Sequence, residues 1–157
     1  MRRLRLGEWV ALAGGAALLV SLLFLPWYHA FANAVPLGAG ETSLTGFEAF
    51  SVLDVVLAAI ALIPFALAFM QATRDDPTWP VALSIACIVV GALAVVLVAY
   101  RMLNQPGPNE LIEVGWGAWV GLLGAVLIVA GGWRALATEH VPGLPPAPEP
   151  ELRPPPA

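Results

Sequence analysis

Four apolar runs, each about twenty residues long, constrain this chain more than anything else in it. They cover roughly residues 8–26, 47–70, 79–103 and 114–133. A bilayer core about 30 Å thick is crossed by about 20 apolar residues in a helix. The runs are continuous rather than alternating, which favours helices over barrel strands. Only a helix satisfies its own backbone within one segment in lipid. Composition agrees, with 59% hydrophobic and 11% charged residues against about a quarter charged in a soluble domain. The expected fold class is all-α, a four-helix transmembrane bundle over residues 1–135. The expected site is a multi-pass position in the cytoplasmic (inner) membrane, with membrane lipid as the first partner.

Orientation follows from arginine, since the chain has no lysine. Arg2, Arg3 and Arg5 precede the first span, Arg74 lies between the second and third, and Arg134 and Arg153 follow the fourth. Only Arg101 falls toward the other side, so the positive-inside rule gives an N-in, C-in layout with both termini cytoplasmic. Trp9 and Trp27, Trp79 and Tyr100, and Trp116 and Trp133 read as interfacial anchors bracketing three of the spans. The first span has a second reading. Met1–Arg5 is a positive n-region, and Ala30-Phe31-Ala32 resembles a signal-peptidase site, so cleavage would leave three spans. Residues 136–157, with eight prolines after His140, form a Pro-rich tail expected to be disordered and cytoplasmic.

The first outward loop, from Trp27 to Gly46, has room for a short strand or turn. The second, around Pro106 and Pro108, reads as a turn. Outward-side acids are Glu41, Glu48, Asp54, Glu110 and Glu113 against Arg101, which makes that surface acidic and argues against nucleic acid as a partner.

Small residues recur at steps of three and four, and so fall along one face of each helix. The first span gives Gly7, Ala11, Gly14, Leu18 and Ser21. The second gives Ser51, Asp54, Ala58 and Ala61, and the third Ser84, Cys87, Gly91, Ala94, Val98 and Arg101. The fourth gives Gly117, Gly121, Gly124, Ile128 and Gly131. Such lean seams are where membrane helices approach closely, within one chain or between copies in a homo-oligomer.

The seams put Asp54 and Arg101 on facing sides of a hairpin and at matching height. A charge at mid-bilayer costs about 2.5–3.5 kcal/mol, so a structural ion pair is the first reading of these two residues. A proton- or cation-binding carboxylate at Asp54 is the second. Glu48 has a local explanation. Thr45-Gly46-Phe47-Glu48 is a capping box that would open the second span. Ser51-Val52-Leu53-Asp54 is another match, set aside because it would start the span late. Pro64 removes one backbone hydrogen bond from that span and is expected to kink it.

Motif searches point away from an enzyme. There is no HExxH, GxSxG, GxGxxG, P-loop or paired-cysteine site, so no cofactor or metal is expected. The two histidines, His29 and His140, fall on opposite sides of the membrane.

The stretches LPWY, GFEAFSVLDVVLA and GAWVGLLGAVLIVAGGW resemble a group of uncharacterised small four-helix integral membrane proteins of high-GC bacteria, over about residues 5–135. That resemblance implies an inner-membrane location and no known activity. The layout is also similar to claudin-type scaffolds, with both ends inside and a larger first outer loop, although the loop cysteines of that family are missing. The expectation is a non-catalytic accessory, scaffold or assembly protein working with other membrane proteins or with itself. The alternative is a small oligomeric proton- or cation-coupled transporter using Asp54.

Overall fold

The computed structural model describes residues 6–30, 42–49, 52–73, 78–105 and 112–138. The long helices are α1 (Leu6–Phe24), α3 (Leu53–Thr73), α4 (Thr78–Leu103) and α5 (Trp116–Thr138), with a single turn α2 (Gly46–Ala49) before α3. All four long helices are long and apolar enough to cross a membrane. The protein is therefore built as a multi-pass membrane protein. Arg2, Arg3, Arg5, Arg74, Glu41, Glu110, His140, Arg153 and the tail beyond Thr138 lie outside the described residues.

The helices form a ring. α1 packs on α5, α5 on α4, α4 on α3, and α3 back on α1, with the α1–α5 contact the most extensive. Three of the helix ends have an identifiable cause. α1 stops before Pro26, which cannot continue the hydrogen-bond ladder. Pro80 sits in the first turn of α4, where its missing N–H is not needed. At the far end of α4, the Asn104 amide N–H donates to the Tyr100 carbonyl at 2.8 Å and closes the last turn. α3 runs through Pro64 as one helix, with the ring fully buried.

The four expected long helices are present, and a small sheet is added to them. Three short strands, β1 (Pro26–Ala30), β2 (Thr42–Thr45) and β3 (Ile112–Val114), form one antiparallel sheet in the order β2-β1-β3. β1 leaves α1, β2 precedes α3, and β3 precedes α5. The sheet thus gathers three connections that emerge at one end of the bundle. The second loop, read as a turn, contributes β3. These segments carry Trp, Tyr, Thr, Ile and Val, which suit a pleated surface, but each is too short to show an alternating pattern.

Span limits move as well. The second span was expected from residue 47, yet α3 begins at Leu53. A helix of 21 residues still reaches about 32 Å, so the late start costs no coverage of the bilayer. The last helix extends past residue 135 to Thr138.

Core packing follows the lean seams. Gly7 lies against Ala135, Gly14 against Gly124 and Ile128, and Gly124 against Leu18. Gly131 lies against Ala11, and Gly121 against Ser21. Each step of three or four up α1 is matched by the same step down α5. A Cβ added at Gly14 would lie 2.6 Å from the Gly124 carbonyl oxygen, so these two backbones touch directly. The neighbouring Gly15 faces another way, against the Ala61 carbonyl of α3. On α5, Gly131 serves α1 while Gly132 approaches Ser84 and Cys87 of α4. Gly91 of α4 fits against Ile128 and Val129 of α5. Paired glycines therefore let α1 and α5 each approach two neighbours. Ala58 is half-buried on α3.

Candidate functional site at the sheet end

Two consecutive aromatics fasten the sheet to the bundle. The β1–β2 register shifts between Pro26 and Tyr28, a bulge at Trp27. Strand neighbours normally point to opposite faces, and a bulge re-aims one of them. Here both Trp27 and Tyr28 are fully buried. The expectation that Trp27 belongs to the interfacial belt is therefore corrected, whereas Trp9, Tyr100, Trp116 and Trp133 are exposed.

Trp27 closes a polar knot. Its Nε1–H donates to the Ser21 carbonyl at 2.9 Å and to the Ser21 hydroxyl oxygen at 3.0 Å. The Ser21 hydroxyl donates in turn to the Gly117 carbonyl at 2.8 Å. The indole ring lies over Gly121, where a Cβ would meet it at 2.7 Å. The Gly115 amide donates to the Trp27 carbonyl at 2.7 Å, continuing the link into α5. One knot thus ties α1, β1 and α5.

Tyr28 ties in α4. Its hydroxyl donates to the Arg101 carbonyl at 2.8 Å, in the last turn of that helix. That carbonyl is among the four that a helix C-terminus leaves without intrahelical partners. Burial pushes the Tyr28 phenol up to about 12, and the Arg101 charge pulls the other way.

Asp54 stands in the first turn of α3, at the positive end of the helix dipole. It is 1% exposed, and neither carboxylate oxygen has a hydrogen-bond partner. Arg101 lies in the last turn of α4, and no hydrogen bond joins it to the Asp54 carboxylate. Tyr28, Asp54 and Arg101 place a phenol, a carboxylate and a guanidinium at the sheet end, on three different elements.

The remaining sequence candidates are distributed as follows. Thr45 ends β2 and Glu48 lies in α2, so the capping box sits at a separate short turn and does not open the span. The span begins instead at Leu53, within the second box, whose Ser51 lies outside the described residues. Gly117 and Gly121 form the floor under Pro26 and Trp27, while Gly14, Gly91 and Gly124 lie deeper in the helix contacts. On the far side of the sheet, His29 pairs across the ladder with Ser43 and Glu113, and all three are exposed. Among the described residues, no group of three or more His, Cys, Asp and Glu side chains is placed to hold a metal.

Sequence reasoning missed Ser21, Trp27 and Tyr28 as a unit. The available signal was a tryptophan and a tyrosine side by side after a helix-ending proline, each with an apolar body and a polar tip that needs a partner when buried. No family model matches the chain, and no curated protein matches it.

Proposed function

We propose that this chain is a non-catalytic accessory or scaffold protein of a bacterial cytoplasmic membrane, with both termini cytoplasmic and the sheet on the outer side. The observation that carries this reading is the anchoring of the sheet. Hydrogen bonds from Trp27, Ser21 and Tyr28 tie it to α1, α4 and α5, so the row Ser43, His29 and Glu113 is held at a fixed position above the bundle. A surface held rigidly outside the membrane suits docking of another membrane protein or of a second copy. The arginine distribution supports the orientation.

The test uses photo-crosslinking residues placed one at a time at His29, Ser43 and Glu113 in the full chain, in native membranes. The reading requires one discrete adduct from these sites, lost when the opposite row position carries a bulky residue and absent from lipid-facing controls such as Val96. Random or absent adducts from all three sites would oppose it.

A second reading is a small proton- or cation-coupled transporter, favoured by the buried Asp54 carboxylate with no hydrogen-bond partner. Flux in proteoliposomes that follows a pH gradient and disappears in Asp54→Asn would select it over the scaffold.

A further inference from the structure

The outward face of the sheet carries a polar row that the anchoring of the strands does not use. Tyr28 is buried against the bundle. Neighbouring side chains on a strand point to opposite faces, so His29 points away from it. Ser43 of β2 and Glu113 of β3 stand directly opposite His29, one on each side. All three are exposed, while Ile112 and Val114 on either side of Glu113 are half-buried. The row thus runs hydroxyl, imidazole, carboxylate across three strands.

Register fixes how close these groups lie. Residues directly opposite on antiparallel strands have Cβ atoms about 4.5–5.5 Å apart. A zinc ion takes an imidazole nitrogen at about 2.0–2.1 Å and a carboxylate oxygen at about 2.0–2.2 Å. Both side chains reach well beyond Cβ, so they can close on one ion above the sheet without moving the backbone. The strands that carry them are held in place. Trp27 and Tyr28 seat β1, and the Gly115 amide bond to the Trp27 carbonyl fixes the end of β3. Charge on this side favours a cation as well. The outward segments carry Glu41, Glu48, Asp54, Glu110 and Glu113 against Arg101. The imidazole selects the class of ion, because nitrogen ligands suit zinc, copper and nickel, whereas calcium and magnesium take oxygen.

The geometry points to a two-ligand site for a divalent transition ion of the zinc or copper class, formed by His29 and Glu113 on the outer face of the sheet. His29 gives one ring nitrogen and Glu113 its carboxylate, with water in the remaining positions. Two protein donors make an open site rather than a closed structural one. The site does not depend on whether the row also docks a partner, because the isolated chain supplies both donors.

Titration of the full chain with copper(II) tests it, in non-ionic detergent micelles and without a histidine tag. Electron paramagnetic resonance and isothermal calorimetry read the binding. His140, the other histidine, is changed to alanine in every sample so that its imidazole is not counted. The expected result is one saturable ion per chain with mixed nitrogen and oxygen ligation. His29→Ala should abolish it. Glu113→Gln should weaken it roughly tenfold or more, because the pair then no longer acts as a chelate. Binding unchanged by Glu113→Gln overturns the proposal, as a lone histidine with an adventitious ion only behaves that way. So does binding that survives His29→Ala, or the lack of saturable binding in the protein with both residues intact. Both positions are exposed, and far-UV circular dichroism of each variant verifies a folded bundle before copper is counted.

Discussion

Replacing Gly14 with alanine should damage this protein more than replacing Gly91, although both lie inside apolar helices. The added methyl at Gly14 would stand 2.6 Å from the Gly124 carbonyl oxygen, 2.7 Å from the Ile128 amide nitrogen and 2.8 Å from the Leu127 Cβ. Two of those three atoms are backbone. A carbon–oxygen contact is comfortable from about 3.3 Å, so α1 and α5 must part locally by about 0.7 Å. A gap of 0.5–1 Å forfeits roughly a quarter to a half of each dispersion contact across it. At Gly91 the two nearest atoms are side-chain ends, Val129 Cγ2 at 2.9 Å and Ile128 Cγ2 at 3.1 Å, and the one backbone atom, the Val129 nitrogen, stands farther off at 3.2 Å. The gain in helix propensity from glycine to alanine, about 0.8–1.0 kcal/mol, is common to both sites and cancels in the comparison. Overpacking typically costs 1–3 kcal/mol. Gly14→Ala should therefore be less stable than Gly91→Ala by about 1–2 kcal/mol. Unfolding titrations in detergent micelles, followed by far-UV circular dichroism, measure both on one scale. Equal stability, or a Gly14→Ala protein more stable than wild type, would refute direct backbone packing between α1 and α5.

Ser21→Ala removes the donor to the Gly117 carbonyl and one acceptor for Trp27, and should cost about 1–2 kcal/mol in the same titration. Trp27→Phe should cost more, and the two changes should be non-additive by at least about 0.5 kcal/mol because they share one knot. Tyr28 makes stability depend on alkaline pH. Its folded value lies above the unfolded one, so the contribution is complete below about pH 10 and is lost as pH rises toward 12. Tyr28→Phe should remove that loss, and in a Tyr100→Phe background the remaining tyrosinate absorbance should appear only near pH 12. For Asp54 and Arg101, the loss of stability caused by Arg101→Gln should shrink by about 0.5–1.5 kcal/mol when Asp54 is already Asn. Simple additivity of the two would show that the charges do not interact.

The helices were legible because lipid makes their requirement crude. About twenty apolar residues suffice, and the four runs declare themselves without fine periodicity. The seam along Gly7, Ala11, Gly14, Leu18 and Ser21 was equally visible, since nothing but small residues permits such close approach. Which helix would face it was not visible, because the other three spans carry similar small-residue patterns. The sheet was hidden for a different reason. Strands of three to five residues carry almost no periodic signal, and their partners lie far apart in sequence, as Tyr28 and Val114 do. Trp27 misled because an amphipathic ring beside a span end suits a membrane interface as well as a buried hydrogen bond. The start of α3 was missed because two capping boxes stand six residues apart, and the first leaves the longer apolar run.

The central claim is that the sheet is seated in the bundle through Trp27 instead of resting at the lipid surface. A protein with Trp9, Trp79, Trp116, Trp119 and Trp133 changed to Phe leaves Trp27 as the only indole. Its fluorescence in liposomes can be challenged with iodide from water and with brominated acyl chains from lipid. A core position hydrogen-bonded to Ser21 predicts emission that neither quencher reduces appreciably. Strong quenching by brominated lipid or by iodide would place Trp27 in the interfacial belt and contradict the account.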